Sequence, residues 1–194
     1  MANNPSEDDR AAEAQVKGTK IKSKLAFVEN TYGEEALQGV VDTMSAEDRR
    51  VLKSVLDVAW YPIGVYDRLL TAIVEGAGSG DPKVMDRMGR EAAEYQAEHA
   101  YRAYFRSKDP RSLLEAMIPM HAQINKPGTM ELVDGGERRL SLVISAPPTT
   151  LLACRVAKSF YQRAVELVGG SAARVVESAC QARGDDHCRF DVRW

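Results

Sequence analysis

From Thr19 to Glu75 the apolar residues recur three and four positions apart. Leu25 and Val28 come first, then Leu37, Val40, Val41 and Met44, then Val51, Val55, Leu56 and Ala59. That spacing lines one face of an α-helix, so the stretch reads as successive amphipathic helices. Ser45, followed three residues later by Asp48, is an acidic variant of the helix-capping pattern. Pro62 is expected to end one helix and open the next. Gly76 to Gly80 is a flexible break. Asp81-Pro82 then starts a helix predicted to run as far as Phe105, and Asp109-Pro110 starts another, which Pro119 should kink or shorten.

After Asn125-Lys126-Pro127-Gly128 the period changes. "TMELVDGGERRLSLVIS" reads as two strands joined around Asp134-Gly135-Gly136. "PPTTLLACRVAKSFYQRAVELVGG" reads as an amphipathic helix stopped by Gly169 and Gly170. "SAARVVESACQARGDDHCRFDVRW" is a second hairpin, turning at Gly184-Asp185. Helices followed by strand, strand, helix, strand, strand define an α+β chain: a helical N-terminal half packed on an antiparallel sheet, in the order β-β-α-β-β. Residues 1–15 lack aromatics and bulky aliphatics and read as a disordered tail, leaving 16–194 as one domain.

Composition narrows the function classes. The chain has 194 residues, 44% of them hydrophobic and 28% charged, which is ample for a core without cross-links. A net charge of −2 gives no basic footprint for nucleic acid. No stretch approaches the roughly 18 apolar residues of a membrane span. The acidic, polar start is unlike an export signal, and three cysteines cannot all pair within one chain, so a cytoplasmic setting is expected. In that setting clustered cysteines favour metal over disulfide.

The cysteines are Cys154, Cys180 and Cys188. A three-residue loop at Arg183–Asp185 would set Cys180 opposite Cys188 on one face, with Cβ atoms about 4.5–5.5 Å apart. Cys154 lies in the first turns of the helix that must pack on that sheet. Three thiolates can thus converge, and a structural zinc takes four ligands. The fourth candidate is Glu177, which needs a bulge in its strand, or His187 at the turn. The residues alone leave that choice open, and also leave open the plainer reading of three cysteines packed in a core.

A pocket is the other candidate. His99 sits among Tyr95, Tyr101, Tyr104 and Phe105, which read either as packing or as an aromatic pocket wall. His121 follows Pro119 where the helices hand over to the sheet, a plausible pocket mouth. With Met117 and Leu142, the residues Tyr95, His99, Tyr104 and His121 form the expected lining of a cavity of at least about 300 Å³ between helices and sheet. Strand parity leaves open whether Leu140, Leu142 and Ile144 or Val143 face it. No phosphate loop and no Ser–His–Asp or Cys–His arrangement is present, so no enzyme is expected.

The closing segment from Gly169, with Glu177-x-x-Cys180, a Gly-containing turn and Cys188 after the earlier Cys154, resembles the 4-vinyl-reductase domain family. That family includes the sensory domains of phenol- and xylene-responsive activators. The resemblance implies a structural zinc on Cys154, Glu177, Cys180 and Cys188, with Glu177 preferred to His187. "WYPIGVYDRLL" resembles stand-alone myxobacterial paralogues of about this length. The fold so implied is a four-stranded antiparallel sheet covered by helices, shared with nitric-oxide-signalling and Golgi-transport proteins, in which dimers are common. The phenol sensors' strand tryptophan has no counterpart in "RRLSLVIS". The expected function is therefore a zinc-stabilised sensory domain that binds a small apolar or amphipathic molecule and acts through a homodimer or a partner protein. The alternatives are a tetrapyrrole vinyl reductase or its accessory, and a ligand-free interaction scaffold.

Overall fold

A computed structural model describes residues 14–99, 101–145 and 150–194. Strand β1 (Gln15–Lys17) leads into three helices, α1 (Gly18–Tyr32), α2 (Glu34–Asp42) and α3 (Ala46–Lys53). Strand β2 (Trp60–Pro62) precedes α4 (Ile63–Glu75) and α5 (Val84–Glu98). A 3-10 turn at Tyr104–Ser107 precedes α6 (Pro110–Ile124), and then come β3 (Asn125–Lys126), β4 (Thr129–Asp134) and β5 (Arg139–Ser145). The C-terminal part is α7 (Leu151–Leu167), β6 (Arg174–Ala179) and β7 (Cys188–Arg193).

The expected α+β architecture is present. Strands β4, β5, β7 and β6 form a four-stranded antiparallel sheet in that spatial order, with α7 as the link between its two hairpins. Local chemistry sets several boundaries. Ser45 Oγ accepts from Asp48 N at 3.1 Å to open α3, and Asp109 Oδ2 accepts from Ser112 N at 2.9 Å to open α6. The left-handed φ of +108° at Gly169 lets the chain turn away after α7. The Pro-Pro-Thr start expected for that helix lies outside the described residues, as do residues 1–13 of the expected tail.

Four expectations change. Ala14 and Gln15, expected in the tail, belong to the fold, because Ala14 is 1% exposed and Gln15 pairs with Pro62 and Lys126 in a small sheet of order β2-β1-β3. Pro62 ends a strand rather than a helix. Helix α5 stops at Glu98, well before Phe105, because the backbone N–H and Nδ1 of His99 both donate to the Tyr95 carbonyl, at 3.0 and 2.8 Å, and close its last turn. Helix α6 is not shortened at Pro119 but continues to Ile124.

Two apolar clusters divide the interior. One lies between α6, α7 and the large sheet and is centred on Leu113, Leu114, Leu142 and Phe190. The other joins α1 to α5, through Ile21, Leu69, Leu70, Ile73 and Met85. Helices α5 and α7 bridge them, crossing so closely at Gly89 that a Cβ there would sit 2.4 Å from the Val156 carbonyl oxygen. Between the two clusters a cavity remains.

Candidate functional site

The cavity has a volume of about 180 Å³ and is walled by α1, α4, α5, α6, α7 and the sheet. Its size falls below the roughly 300 Å³ expected from sequence, the low end for small-molecule sites. Most of the wall is apolar: Tyr66, Met117, Met120, Met130, Ile144, Phe160 and Phe190 all line it. Alternation along β5 settles the parity question, for Leu140, Leu142 and Ile144 are buried on the core face.

Three polar groups within this wall, on His121, Gln96 and Lys24, lack hydrogen-bond partners among the described residues. His121, on α6, is half-buried, with its Nε2 atom buried and without a hydrogen bond. Burial, and then the nearby Lys20 charge, lower its pKa to about 4, so the ring is neutral at neutral pH. Gln96 Oε1, on α5, is likewise buried and unpartnered. Lys24 is 3% exposed, lines the cavity, and makes no hydrogen bond or ion pair among the described residues. Burial, reinforced by Lys20 one helical turn away, brings its pKa down to about 7. Burial also lowers Lys20, to about 8, while Asp67 and Cys154 pull it back up. Lys20 Nζ sits 4.7 Å over the Tyr66 ring and donates to Asn125 Oδ1 at 2.8 Å.

Asn125 links this lysine to the histidine. With its oxygen held by Lys20, its amide nitrogen faces His121, 3.1 Å from the carbonyl oxygen and 3.2 Å from Nδ1. An amide nitrogen can only donate, so Nδ1 accepts and the ring proton sits on Nε2. In this arrangement the cavity is lined by donors: an imidazole N–H and two lysine amines.

Of the residues proposed from sequence to line a pocket, Met117 and His121 do so. Tyr95 is 52% exposed and stacks on the exposed His99, with ring centroids 4.0 Å apart. Tyr104 packs on the edge of the sheet-side core, and Leu142 is buried within it, paired across the strands with Phe190. The missed residues are Lys20, Lys24, Gln96 and Asn125. Polar residues at helical spacing read as a solvated face, so only the four-residue step from Lys20 to Lys24 beside buried Ile21 and Val28 marked them.

The cysteines converge as the sequence indicated. The sulfurs of Cys154, Cys180 and Cys188 lie within 4.8 Å of one another, all buried, and Cys154 and Cys188 also reach the cavity wall. Cys154 Sγ is 3.6 Å from Cys180 Sγ and 3.7 Å from Cys188 Sγ. The hydrogen bond shared with Cys188, and then burial, raises the Cys154 thiol, while the same hydrogen bond lowers Cys188 to about 7 against the opposing effect of burial. A bulge between Glu177 and Ala179 turns Glu177 towards this cluster, where Oε1 is buried without a partner and Oε2 accepts from Arg183. His187 is not among the clustered groups.

Comparison with known proteins defines the class. A model of the haem-NO-binding family matches residues 17–132, more than half of the chain, and the chain belongs to that family. Its fold is that of solved H-NOX proteins. An H-NOX protein from S. oneidensis, in the Fe(II)NO ligation state, superposes with a TM-score of 0.72 at 13% identity, over 91% of this chain and 98% of that one. An Fe(II) unliganded H-NOX protein from K. algicida gives 0.70 at 14% identity, over 91% and 95%. An oxygen-binding H-NOX domain related to soluble guanylate cyclases gives 0.66 at 14%, over 91% and 93%. No curated relative matches the sequence.

Family membership corrects the earlier assignment. The chain belongs to the haem-NO-binding family and not to the 4-vinyl-reductase domain family, so zinc as its cofactor falls with the resemblance that implied it. The zinc-stabilised sensor, the vinyl reductase and the ligand-free scaffold fall as well. The kinship with nitric-oxide-signalling proteins stands. The matched stretch, 17–132, contains Lys20, Lys24, Gln96, His121 and Asn125, whereas all three cysteines lie beyond it. No helix among the described residues is long and apolar enough to cross a membrane.

Proposed function

We propose that this chain is a haem-based gas-sensing domain, in which the cavity between the helices and the sheet would hold haem and His121 would be the residue that binds its iron. The observation that carries the reading is His121 itself: a neutral, half-buried imidazole on the cavity wall whose buried Nε2 has no protein partner. Histidine is the usual proximal haem ligand, and neutral imidazole is the ligating form. Apolar walls of Met, Ile and aromatic residues suit a tetrapyrrole face. At about 180 Å³ the cavity is smaller than a haem, so seating one would require its wall to yield, and Met117 and Met120, unbranched and adaptable, are the wall residues best able to do so.

Bound haem would supply an iron that takes a diatomic gas such as NO or O₂. The protein's part is to present Nε2 with its lone pair free. That requires the ring proton on Nδ1, where a hydrogen-bond acceptor normally holds it in ligating histidines. Asn125 now presents its nitrogen there, because Lys20 holds its oxygen. Turning the amide round would let Oδ1 accept from Nδ1–H. The proton lost from Nε2 is then regained at Nδ1, with no change in charge. Lys20 therefore restrains the ligating tautomer until it finds another acceptor. A homodimer or a partner protein would carry the signal onward.

Titration of haem into the purified protein, followed by absorption spectroscopy, tests the reading. One haem per chain with an imidazole-ligated spectrum is expected, and the spectrum should change on adding NO. Absence of saturable binding overturns it.

A further inference from the structure

The two most exposed large apolar side chains among the described residues, Leu56 at 63% and Val58 at 79%, belong to the segment joining α3 to β2. Their backbone is tied to the start of α1. Leu56 N donates to Tyr61 Oη at 2.9 Å, and the Asp57 and Ala59 carbonyls accept from Thr19 N and Gly18 N at 3.2 and 2.9 Å. Lys17 Nζ donates to the Val58 carbonyl at 2.9 Å. A side chain at Gly18 would collide with the Leu56 carbonyl, so the glycine lets the segment lie on the helix. A satisfied backbone thus holds two aliphatic side chains out from the surface.

The small sheet extends this apolar ground. Lys17 pairs with Trp60, and Gln15 with both Pro62 and Lys126, which sets Trp60, Pro62, Lys17 and Lys126 on one face, opposite the buried Val16. Ammonium groups stand over the Trp60 ring, that of Lys17 at 4.4 Å and that of Lys126 at 4.3 Å. Neither lysine has a carboxylate within ion-pair distance among the described residues, and Asp57, the acid of this segment, is taken up by Lys22 at 3.1 Å. Exposed aliphatics scattered singly are ordinary. Here Leu56, Val58, Trp60 and Pro62 fall within seven positions, beside two cations without a counter-charge.

We infer that this surface attaches the protein to an anionic lipid bilayer. Leu56 and Val58 enter the boundary between headgroups and acyl chains, Trp60 lies at headgroup level, and Lys17 and Lys126 meet lipid phosphates. Tryptophan favours that depth, because its ring is apolar and its N–H polar. Lysine suits it too, since the stem lies along apolar surface while the ammonium stays in water. Side chains this exposed need either a matching recess in a protein or a medium that yields to them, and the uncompensated cations beside them select a yielding medium of negative charge. The attachment is to the bilayer surface and spans nothing. It is independent of the haem reading, for neither Leu56 nor Val58 lines the cavity.

The test is co-sedimentation of the full chain with two kinds of vesicle, pure phosphatidylcholine and phosphatidylcholine mixed with phosphatidylglycerol. A net charge of −2 opposes general attraction to an anionic surface, so binding there needs a local cationic patch. Wild-type protein should bind the mixed vesicles at least about tenfold more tightly than the neutral ones, since each lysine at an anionic surface contributes about fivefold. Added salt should weaken that binding. Leu56→Ser/Val58→Ser, at exposed positions, should keep the circular dichroism of the wild type and lose about tenfold or more in attachment to the mixed vesicles. Wild type that ignores both vesicles, or binds them alike, overturns the inference, and so does a folded variant that binds as wild type does. A variant that changes the mass of the protein in solution and leaves vesicle binding unchanged overturns it as well, and makes the surface a contact between copies of this chain. The wild-type comparison needs no variant to fold.

Discussion

The seam between α5 and α7 and the cavity beside it are made from the same helices, yet they treat charge in opposite ways. Along the seam each arginine meets a carboxylate: Arg90 with Glu166 at 2.9 Å, Arg163 with Glu94 at 2.7 Å, and Arg155 with Asp86. Burial pushes the Asp86 and Glu166 carboxylates up, but their arginines hold both below the usual carboxylate range. In the cavity, by contrast, buried Lys24 and half-buried Lys20 and His121 have no carboxylate partner, and burial lowers all three. A chain that pairs its charges on one side of a helix and leaves them bare on the other has a place prepared for something it does not itself contain. The seam is structural and self-sufficient, while the cavity is incomplete.

That contrast can be broken most severely at His121. His121→Ala should lower haem affinity by at least about 100-fold, since even the outer partners of a metal ligand cost 10–100-fold when removed. It should also erase the imidazole signature from the spectrum. Cys188→Ser should leave that signature in place, although Cys188 also reaches the cavity. If Cys188→Ser abolished ligation and His121→Ala did not, the axial ligand would be the thiolate.

Filling the cavity is the next sharpest cut. Ile144→Trp on β5 projects into the space and should block haem uptake, at about 1–3 kcal/mol of overpacking. Unimpaired haem stoichiometry in that variant would place the binding site elsewhere.

Stability should then distinguish the bare charge from the paired ones. Lys24 titrates near 7 in the folded, ligand-free protein, against an ordinary 10.5. Between those values the unfolded chain binds more protons, so the contribution of Lys24 to stability should rise with pH across that window. Lys20, near 8 and facing Asp67 and Asn125, adds the same trend at its upper end. Thermal melts of ligand-free wild type should therefore climb from pH 7 to 9, and those of Lys24→Met should start higher and climb less. Each kcal/mol recovered is worth about 2–4 °C in Tm at this chain length. Identical pH profiles would mean that Lys24 is solvated. Least of all, Arg163→Ala in the seam should cost about 1 kcal/mol or less, because its pairs are partly exposed, and leave haem binding unchanged.

The sequence displayed the frame better than the site. Period and caps told the helices from the hairpins, since Ser45, Asp109 and the Asp134 turn act locally. The β2-β1-β3 sheet escaped because strands of two and three residues have no period to read. Helix α5 was read too long because its end depends on a side chain, that of His99, turning back on its own helix. His121 could be placed by its position at the handover to the sheet, and convergence of the three cysteines by hairpin register. The lysines could not, because a charged residue on an amphipathic helix is by default solvated, and only the tertiary fold puts α1 against the cavity. The error over zinc had a different source. Three thiols did gather, but the C-terminal 45 or so residues that suggested one family lie outside the stretch that defines another.

The central claim is that His121 Nε2, which has no protein partner, is the atom that would take a haem iron. Absorption spectra of wild type and His121→Ala, each titrated with haem, test it most directly. The account predicts one imidazole-ligated haem per wild-type chain and loss of that ligation in the variant, with restoration when free imidazole is added to fill the vacated position. Identical spectra and affinities for the two proteins would contradict it.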